Sequence, residues 1–354
     1  MNYIKEFLNK KDVFNTINYE HEILFVKAIK SLMAHHKRNC QEYKKFIDKI
    51  FLIKKIKKIN NFPFLPVQIF KLHELKSIKD KEIFKKLSSS GTTSQLKSNI
   101  FLDKKNSENQ IKVLNKILSQ KFSKIRCPML IIDRDPSKTN RSEFSASIAA
   151  IYGFSLIATK KFYLLKDNFE INFDVLNEFI KTYSQSKFYI FGFTSSIYQH
   201  LYQKLNKSNY NFSNGVLIHG GGWKKLDSLK ISNKIFKELL NKTFKIKDIS
   251  NYYGLVEQTG SIFFECPYGY FVSTIFSDVI IRGKNFEPLE PGKKGLIQLL
   301  SVLPSSYPGH SIITEDIGSV VKLNFKCKCG LNGKHFLVHG RAKEAELRGC
   351  SDAK

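Results

Sequence analysis

The sequence predicts an α/β fold in which helices cover a mostly parallel β-sheet. The main observation is that short apolar runs alternate with amphipathic segments through the middle of the chain, as expected for strands and helices in successive layers. Hydrophobic residues make up 42% of the 354 residues and aromatic residues 13%, which is enough for a large core. From about Phe271 onward, β-branched residues, glycine and proline dominate, so a smaller β-rich subdomain is predicted to follow.

The N-terminal 60 residues are predicted to be helical. Apolar positions such as Val26 and Ile29 follow helical spacing, and lysines occupy positions between them. Pro63 and Pro66 then end this pattern, because proline restricts both its own backbone and that of the preceding residue. An extended segment is therefore expected where the next region begins.

Strands and helices are predicted to alternate in the region that follows. Apolar runs indicate strands at 129–132, 188–191 and 215–219, the last of which is followed by the glycine turn Gly220–Gly222. Helices are predicted at 81–87, 142–152 and 197–205. The predicted domains are a helical segment at 1–60, an α/β core at 61–270, a β-rich subdomain at 271–335 and a C-terminal tail at 336–354.

The formal net charge of +27 raises the question of a nucleic-acid partner. Seven of the 58 basic residues are arginine and 51 are lysine, and the lysines are spread along the whole chain. Arginine, with its planar bidentate guanidinium, is the usual reader of bases and phosphates. No nucleic-acid partner is therefore expected, and the charge favours anionic substrates such as ATP, fatty-acid carboxylates and acidic carrier proteins.

A cytoplasmic location without a transmembrane segment is predicted. No run of 18 uncharged apolar residues occurs in the sequence. The first six residues include Glu6 and lack the apolar stretch of a signal peptide. Six cysteines in 354 residues are too few for a disulfide framework.

The hydroxyl-rich stretch Ser88–Gln95, followed by Lys97, is a candidate phosphate-binding loop. Its small residues let backbone N–H groups approach an anion, and its hydroxyls add hydrogen-bond donors. It lacks the glycine spacing and the Gly-Lys-Ser/Thr ending of a Walker loop. The loop is predicted to lie between the helix at 81–87 and a strand at 99–102, and an ordinary surface loop is the alternative interpretation.

Three further motifs carry side chains suited to nucleotide chemistry. Tyr252 and Tyr253 precede a glycine and could place an aromatic ring against a purine, and Glu257 could bind Mg²⁺. Asp316, in a predicted turn, could accept hydrogen bonds from both ribose hydroxyls. The segment Gly340–Lys343 places two cations on a predicted short connection. Taken singly, each motif is also compatible with an ordinary strand end, turn or solvated surface.

Cys327 and Cys329 form half of a candidate structural zinc site. Thiolates are preferred zinc ligands, and the glycine that follows the pair allows the chain to turn. Cys266 is the best third ligand on the sequence, and His310 or His335 is the candidate fourth ligand. Free buried thiols are the alternative interpretation.

Taken in order, these motifs resemble those of the adenylate-forming enzymes. More narrowly, the chain resembles the acyl-protein synthetase family, the synthetase component of the bacterial luminescence fatty-acid reductase. This narrower resemblance covers the chain from about residue 60 to the end and rests on the segments 64–67, 89–93, 217–225, 327–330 and 340–351. It implies an adenylate-forming large domain of layered parallel sheets and helices, a smaller β-rich subdomain and a very short C-terminal segment.

The resemblance also implies roles for individual residues. The ATP phosphates would bind Ser89, Ser90, Gly91, Thr92 and Thr93, although Ser94 stands where the family usually has glycine. The adenine would be framed by Gly220, Gly221, Gly222, Tyr252 and Tyr253, the ribose would bind Asp316 and Arg341, and Mg²⁺ would bind Glu257. Cys350 would accept the acyl group. The catalytic lysine of most adenylate-forming enzymes has no counterpart, and its charge would come from Lys97, Lys224, Lys225 or Lys343.

The predicted function is an ATP-dependent ligase that activates a carboxylic acid as acyl-AMP and transfers the acyl group to a cysteine. The expected substrate is a long-chain fatty acid, and the expected partner is an acyl-accepting protein or reductase. A thiol suits this role, because thiolates are nucleophilic and thioesters remain activated for onward transfer. Two alternatives stay open. One is a ligase of the same fold that uses coenzyme A or another acid, for example in surface polysaccharide biosynthesis, and the other is a non-enzymatic basic binding protein.

Overall fold

The computed structural model describes residues 3–51, 56, 58–89, 96–138, 145–223, 226, 229, 231–322 and 327–342. Several predicted functional positions lie outside these residues. They are Ser90, Gly91, Thr92 and Thr93 of the predicted phosphate loop, the lysines Lys224, Lys225 and Lys343, and the predicted acyl acceptor Cys350. Their roles stay predictions.

The described helices are α1 (Tyr3–Asn9), α2 (Tyr19–Asn39), α3 (Gln41–Ile50), α4 (Ile69–Leu72), α5 (Lys104–Lys121), α6 (Ala146–Phe154), α7 (Phe173–Tyr183), α8 and α9 (Asn233–Phe244). Helix α8 is a continuous run of Thr194–Ser196, Ile197–Tyr202 and Gln203–Leu205 with a π-helical middle part. Single 3₁₀ turns occur at Ile59–Asn61, Asp80–Glu82, Pro136–Lys138 and Ser155–Ile157.

The described strands are β1 (Leu65–Pro66), β2 (Lys85–Ser88), β3 (Asn99–Leu102), β4 (Cys127–Ile131), β5 (Ala158–Tyr163), β6 (Phe188–Phe193), β7 (Gly215–Gly220), β8 (Asp248–Tyr253), β9 (Phe263–Glu265), β10 (Phe271–Val272), β11 (Ser277–Arg282), β12 (Gly295–Ser301), β13 (Ser311–Val320) and β14 (His335–Arg341).

Four of the helices begin at a side-chain cap. The side-chain oxygens of Asn18, Ser145, Asn172 and Ser232 accept hydrogen bonds from backbone N–H groups in the first turns of α2, α6, α7 and α9. These bonds satisfy N–H groups that have no partner within the helix, so the caps fix where the helices start.

The described residues form two compact units. One, the antiparallel unit, lies within Met1–Ser89, Leu96–Gln120 and Tyr253–Glu346, and the other, the parallel unit, lies within Lys121–Tyr252. Among the described helices, none is both long enough and apolar enough to cross a lipid bilayer.

The parallel unit confirms the predicted α/β architecture. Its five strands are all parallel and lie in the order β5-β4-β6-β7-β8. Strands β6 and β7 are buried along their whole length, as expected for strands covered on both faces. The core between sheet and helices includes Leu176, Phe188, Ile190, Leu201, Leu217 and Leu240. The strands predicted at 129–132, 188–191 and 215–219 correspond to β4, β6 and β7, and the helix predicted at 197–205 corresponds to α8.

The antiparallel unit contains the β-rich part of the chain. Its strands lie in the order β11-β12-β13-β14-β10-β9, and each pairs antiparallel with its neighbours. The extended segment predicted near the two prolines is β1, which pairs parallel with β13. The core of these strands includes Phe263, Val279, Ile281, Leu299 and Phe336.

The helix predicted at 81–87 is wrong. Asp80–Glu82 forms a single 3₁₀ turn, and Lys85–Ser88 forms β2, which pairs antiparallel with β3. The cause is long-range pairing, because Leu87 lies opposite Ile100 in this ladder and both side chains are buried. Such a pair outweighs the helical preference of a short segment. The predicted phosphate loop therefore follows a strand rather than a helix.

Candidate functional site

Ser89 and Ser98 join the two strands that flank the predicted phosphate loop. The Ser89 N–H donates to the Ser98 carbonyl at 3.0 Å, and the Ser98 N–H donates to Ser89 Oγ at 2.9 Å. Because Ser89 Oγ accepts in this bond, its own proton can still be donated to an oxyanion. The pair therefore fixes the base of the loop while leaving a donor for a ligand.

Glu257 is a buried carboxylate beside this loop base. The residue is 8% exposed, and burial raises the pKa of its carboxyl, whereas the nearby Ser98 hydroxyl and Arg341 guanidinium oppose the rise. The Ser98 hydroxyl is itself buried, yet it completes no hydrogen bond of normal geometry with any described residue. A desolvated carboxylate is suited to a divalent cation, so these residues fit the predicted Mg²⁺.

The backbone around Glu257 is held by its neighbours in sequence. Gln258 Nε2 donates to the carbonyl of Gly309 at 2.9 Å and to a carbonyl of β12 at 3.0 Å. The Thr259 N–H donates to Tyr307 Oη at 2.9 Å. Because Gln258, Thr259 and Tyr307 are buried, these bonds are shielded from water and fix the position of the carboxylate.

Asp316 and Arg341 are direct partners in the ladder between β13 and β14. Tyr253 Oη donates to Asp316 Oδ2 at 2.7 Å, and Arg341 Nε lies 3.9 Å from Asp316 Oδ1. Burial raises the pKa of the Asp316 carboxyl, while the Tyr253 hydrogen bond and the Arg341 charge oppose the rise. One carboxylate oxygen is therefore fixed by Tyr253, and the other is more weakly held and suited to accept from a ligand hydroxyl.

The predicted local structure at Asp316 and Arg341 is wrong, because neither lies in a turn or a short connection. Asp316 lies inside β13, and Arg341 is the last residue of β14. The pairing register shifts between Ile317 and Gly318, which is a β-bulge. The segment is too polar to be recognised locally as a strand, and its conformation is set by the ladders on both sides.

Glu315 belongs to the same group of side chains and was missed in the sequence. Its Oε2 lies 3.5 Å from Arg341 Nη2, and Gln68 Nε2 donates to its other carboxylate oxygen. Glu315 thus holds the guanidinium from a second side. A single acidic residue next to Asp316 carries no pattern of its own, so only the pairing of β13 with β14 identifies it.

In the parallel unit, Gly220 ends β7 directly against Tyr252. A Cβ atom at Gly220 would overlap the Tyr252 ring, so glycine is required for this close approach. The same ring packs on Phe154 with 4.5 Å between ring centroids. The next residues, Gly221 and Gly222, are exposed, and Gly221 has a φ of +77°. The turn thus presents uncovered backbone beside an aromatic ring, as the predicted adenine contact requires.

His219 lies just before this turn and was also missed as a site residue. The Thr194 hydroxyl donates to the Gly220 carbonyl at 3.1 Å, so its oxygen accepts from His219 Nδ1 at 3.0 Å. Burial lowers the pKa of His219 to about 3, which keeps the ring neutral. These bonds tie the end of β7 to the start of α8 and support the glycine turn.

A separate cluster in the antiparallel unit contains Cys266, Cys327, Cys329 and His335. The four ligand atoms all lie within 4.8 Å of one another. Gly330 turns the chain after the two neighbouring cysteines with a φ of +77°, and its N–H donates to the Cys327 carbonyl at 3.1 Å. The three predicted cysteines are thus together.

His335 is the histidine of this cluster, and His310 is not. His335 Nδ1 lies 2.7 Å from the Gly333 carbonyl, which can only accept, so this nitrogen carries the proton. His335 Nε2 then presents a lone pair, 3.3 Å from Cys329 Sγ. His310 instead bonds Tyr43 Oη through Nε2 at 3.2 Å. The second-sphere hydrogen bond of His335 is typical of a metal-binding histidine.

Comparison with known protein families gives a match along nearly the whole chain. A family model described as "Acyl-protein synthetase, LuxE" matches residues 2–354. A curated relative, the long-chain-fatty-acid–luciferin-component ligase of Vibrio harveyi, is 24% identical over 313 residues. The alignment covers 85% of this chain and 80% of the relative.

Solved structures show a similar fold at low sequence identity. A 2-hydroxyisobutyryl-CoA ligase, crystallised in the postadenylation state with 2-HIB-AMP, has a TM-score of 0.69 and 11% identity, over 94% of this chain and 69% of that chain. The luciferase-like enzyme from the mealworm Zophobas morio has a TM-score of 0.50 and 17% identity, over 76% of this chain and 60% of that one. At such identities the similarity concerns the fold.

Proposed function

Because this chain belongs to the LuxE family of acyl-protein synthetases, we propose that it activates a long-chain fatty acid as acyl-AMP and then transfers the acyl group to the Cys350 thiol. Members of this family are adenylate-forming ligases, so this chain is one as well. The alternative that it is a non-enzymatic binding protein therefore has no support. The name of the Vibrio harveyi relative supports a long-chain fatty acid as the substrate. The resemblance of the segment around Cys350 supports a cysteine as the acceptor.

The group of Tyr253, Asp316 and Arg341, which a hydrogen bond and an ion pair hold together, is the observation that best supports nucleotide binding. The ribose of ATP presents two neighbouring hydroxyls, and a carboxylate has enough lone pairs to accept from both. Tyr253 occupies one oxygen of Asp316 at 2.7 Å, and this hydrogen bond and the Arg341 charge oppose the rise in the pKa of the carboxyl that burial causes. Asp316 is therefore an oriented acceptor, as ribose recognition requires.

The proposed first step forms the mixed anhydride. A carboxylate oxygen of the fatty acid attacks the α-phosphorus of ATP, the bond to the bridging oxygen breaks, and pyrophosphate leaves with the electron pair. Mg²⁺ bound at Glu257 would neutralise charge on the phosphate oxygens. The Ser89 hydroxyl would donate to the phosphates and help to hold them in line with the attacking oxygen.

The proposed second step transfers the acyl group. The Cys350 thiolate attacks the acyl carbon of acyl-AMP, the bond to the phosphate oxygen breaks, and AMP leaves. The product is a thioester, which keeps the acyl group activated for a partner protein or reductase. Lys343 or one of the other candidate lysines would supply a positive charge during adenylate formation.

We also propose that Cys266, Cys327, Cys329 and His335 bind a structural zinc ion. Three thiolates and one imidazole form a complete tetrahedral ligand set. The ligand atoms lie within 4.8 Å of one another, and the Gly333 carbonyl holds His335 in the tautomer that presents Nε2. Because three of the four residues are buried, the ion would stabilise the fold rather than contact substrates.

Two measurements on the purified full chain test the proposed function. We expect ATP–pyrophosphate exchange that depends on long-chain fatty acids and is much slower with acetate or benzoate. We also expect covalent labelling by radioactive fatty acid that neutral hydroxylamine releases, as it does for thioesters. Cys350→Ser should keep the exchange and lose the label, because a serine hydroxyl is a weak nucleophile without a dedicated base.

The outcomes separate the remaining alternatives. Cys127→Ser, which replaces a cysteine outside both proposed sites, should keep both exchange and label. Hydroxylamine-labile label on Cys350→Ser would identify another cysteine as the acceptor. Consumption of coenzyme A without any protein label would make the chain an acyl-CoA ligase, and exchange with acids other than fatty acids would change the substrate class.

A further inference from the structure

Helix α2 carries apolar side chains on its outward face that the fold does not bury. Its inward face packs into the antiparallel unit through Phe25, Ile29 and Leu32, which are fully buried. On the opposite face Tyr19 is 78% exposed and Ile23 is 51% exposed. Neighbouring exposed apolar side chains of this size are typical of a binding surface, whereas isolated ones are not informative.

Lysines surround these apolar side chains. An open groove on the helix, here called the α2 outer surface, is lined by Tyr19, Glu22, Ile23, Val26, Lys27, Lys30 and Lys58. Within the described part of the chain, none of the three lysines forms an ion pair with a carboxylate. Glu22 is the single acidic side chain among the lining residues. The surface is therefore both apolar and cationic.

We propose that the α2 outer surface docks on an anionic lipid bilayer. Tyr19 and Ile23 would enter the boundary between lipid headgroups and acyl chains, while the ammonium groups of Lys27, Lys30 and Lys58 contact lipid phosphates. Long lysine side chains reach headgroups from beside an apolar patch, and tyrosine prefers this interface. The net charge of +27 adds a general attraction to an anionic surface.

An acidic protein is the competing partner for the same surface. A bilayer fits better, because the apolar side chains are exposed and lie beside lysines that pair with no carboxylate of the described residues, which is the pattern of interfacial helices. A bilayer is also where long-chain fatty acids partition, which would bring the proposed substrate close. Docking itself needs no ligase activity, so vesicle binding and acid activation can succeed or fail independently.

Vesicle co-sedimentation of the full chain tests this proposal. We expect binding to vesicles of 70% phosphatidylcholine and 30% phosphatidylglycerol, weaker binding at high salt, and much weaker binding to pure phosphatidylcholine. Lys27→Gln with Lys30→Gln should weaken binding about 25-fold, since each lysine near an anionic surface contributes a factor of roughly five. Tyr19→Ser with Ile23→Ser should weaken it at least about tenfold.

Matched controls lie on α5 in the same unit. Ile111 is 51% exposed, like Ile23, and Lys105 and Lys112 are exposed on the same helix. Ile111→Ser should change binding by less than about threefold. Lys105→Gln with Lys112→Gln, tested separately, should also change binding by less than about threefold once the effect of the lower net charge is subtracted. If the α5 and α2 variants lost vesicle binding equally, the binding would depend on overall charge alone, and the proposal would be overturned. Absence of wild-type binding to anionic vesicles would also overturn it and leave an acidic protein as the partner.

Discussion

Replacing Glu257 by glutamine should separate activity from folding stability. Burial raises the pKa of this carboxyl above its ordinary 4.5 despite the opposing effects of Ser98 and Arg341. For an acid, a raised pKa means that the ionised form is less favourable in the folded protein than in the unfolded chain. Glutamine removes the charge and keeps the shape of the side chain, so it removes this cost.

The two effects of Glu257→Gln have opposite signs. A carboxylate that holds a metal ion against developing charge in a buried site contributes about 3–4 kcal/mol to the transition state, so the exchange rate should fall about 100- to 1000-fold. The thermal midpoint should be equal to or above that of wild type at neutral pH. This advantage is absent below the unfolded pKa, where both states are protonated. It grows as the pH rises from the unfolded pKa to the higher folded pKa and is constant above it.

Acid-dependent ATP–pyrophosphate exchange and thermal unfolding at several pH values measure these effects. Glu238→Gln, which removes an exposed carboxylate from α9, controls for net charge and should leave both quantities near wild type. Glu257→Asp should recover part of the exchange rate, because it restores the charge at a shorter reach. Exchange at the wild-type rate in Glu257→Gln would remove this residue from the metal site. A large fall in its thermal midpoint would refute the stability argument.

The remaining predictions concern the proposed zinc site and the proposed ribose contact. Purified protein should contain about one zinc per chain by elemental analysis, and Cys327→Ser should lower both the zinc content and the thermal midpoint, whereas Cys127→Ser should leave the zinc content unchanged. Full stability of metal-free protein would show that the cysteines are packing residues. Asp316→Asn should raise KM for ATP at least about tenfold, because it removes a charged acceptor for hydroxyls. Tyr253→Phe should raise KM less, and an unchanged KM in both variants would exclude the ribose contact.

The parallel unit could be predicted from the sequence because its signals are local. Strands β6 and β7 contain short apolar runs, at 188–191 and 216–218, bounded by polar or glycine residues, which is what burial on both faces requires. The strand at 85–88 could not be predicted in this way. The segment contains no apolar run, and the strand is defined by its pairing with β3, which follows the predicted phosphate loop. Local patterns therefore identify covered strands better than hairpins with an exposed face.

In the candidate site, too, the sequence identifies suitable residue types but not which residues lie beside each other. Asp316 and Arg341 could be selected from the sequence as a carboxylate and a cation suited to a ribose, but their pairing depends on the register of β13 with β14. A register shift of one residue between Ile317 and Gly318 places Asp316 opposite Arg341. Without the extra residue in β14, Asp316 would lie opposite Gly340, and alternation along β14 would direct the Arg341 side chain to the other face of the sheet. Glu315 is recognisable only once this register is known.

The fourth residue of the cysteine cluster likewise follows from hydrogen bonds in the folded chain rather than from spacing in the sequence. His310 and His335 are both buried, and the sequence offers no reason to choose between them. His310 uses its Nε2 toward Tyr43 and stacks on His36, with 4.9 Å between ring centroids, so its ring is committed to the core. His335 begins β14, where the Gly333 carbonyl takes the Nδ1 proton and leaves Nε2 toward the thiols. His335 is thus the candidate ligand because the Gly333 carbonyl accepts its Nδ1 proton and leaves Nε2 toward the thiols. The sequence does not identify this backbone carbonyl as the acceptor.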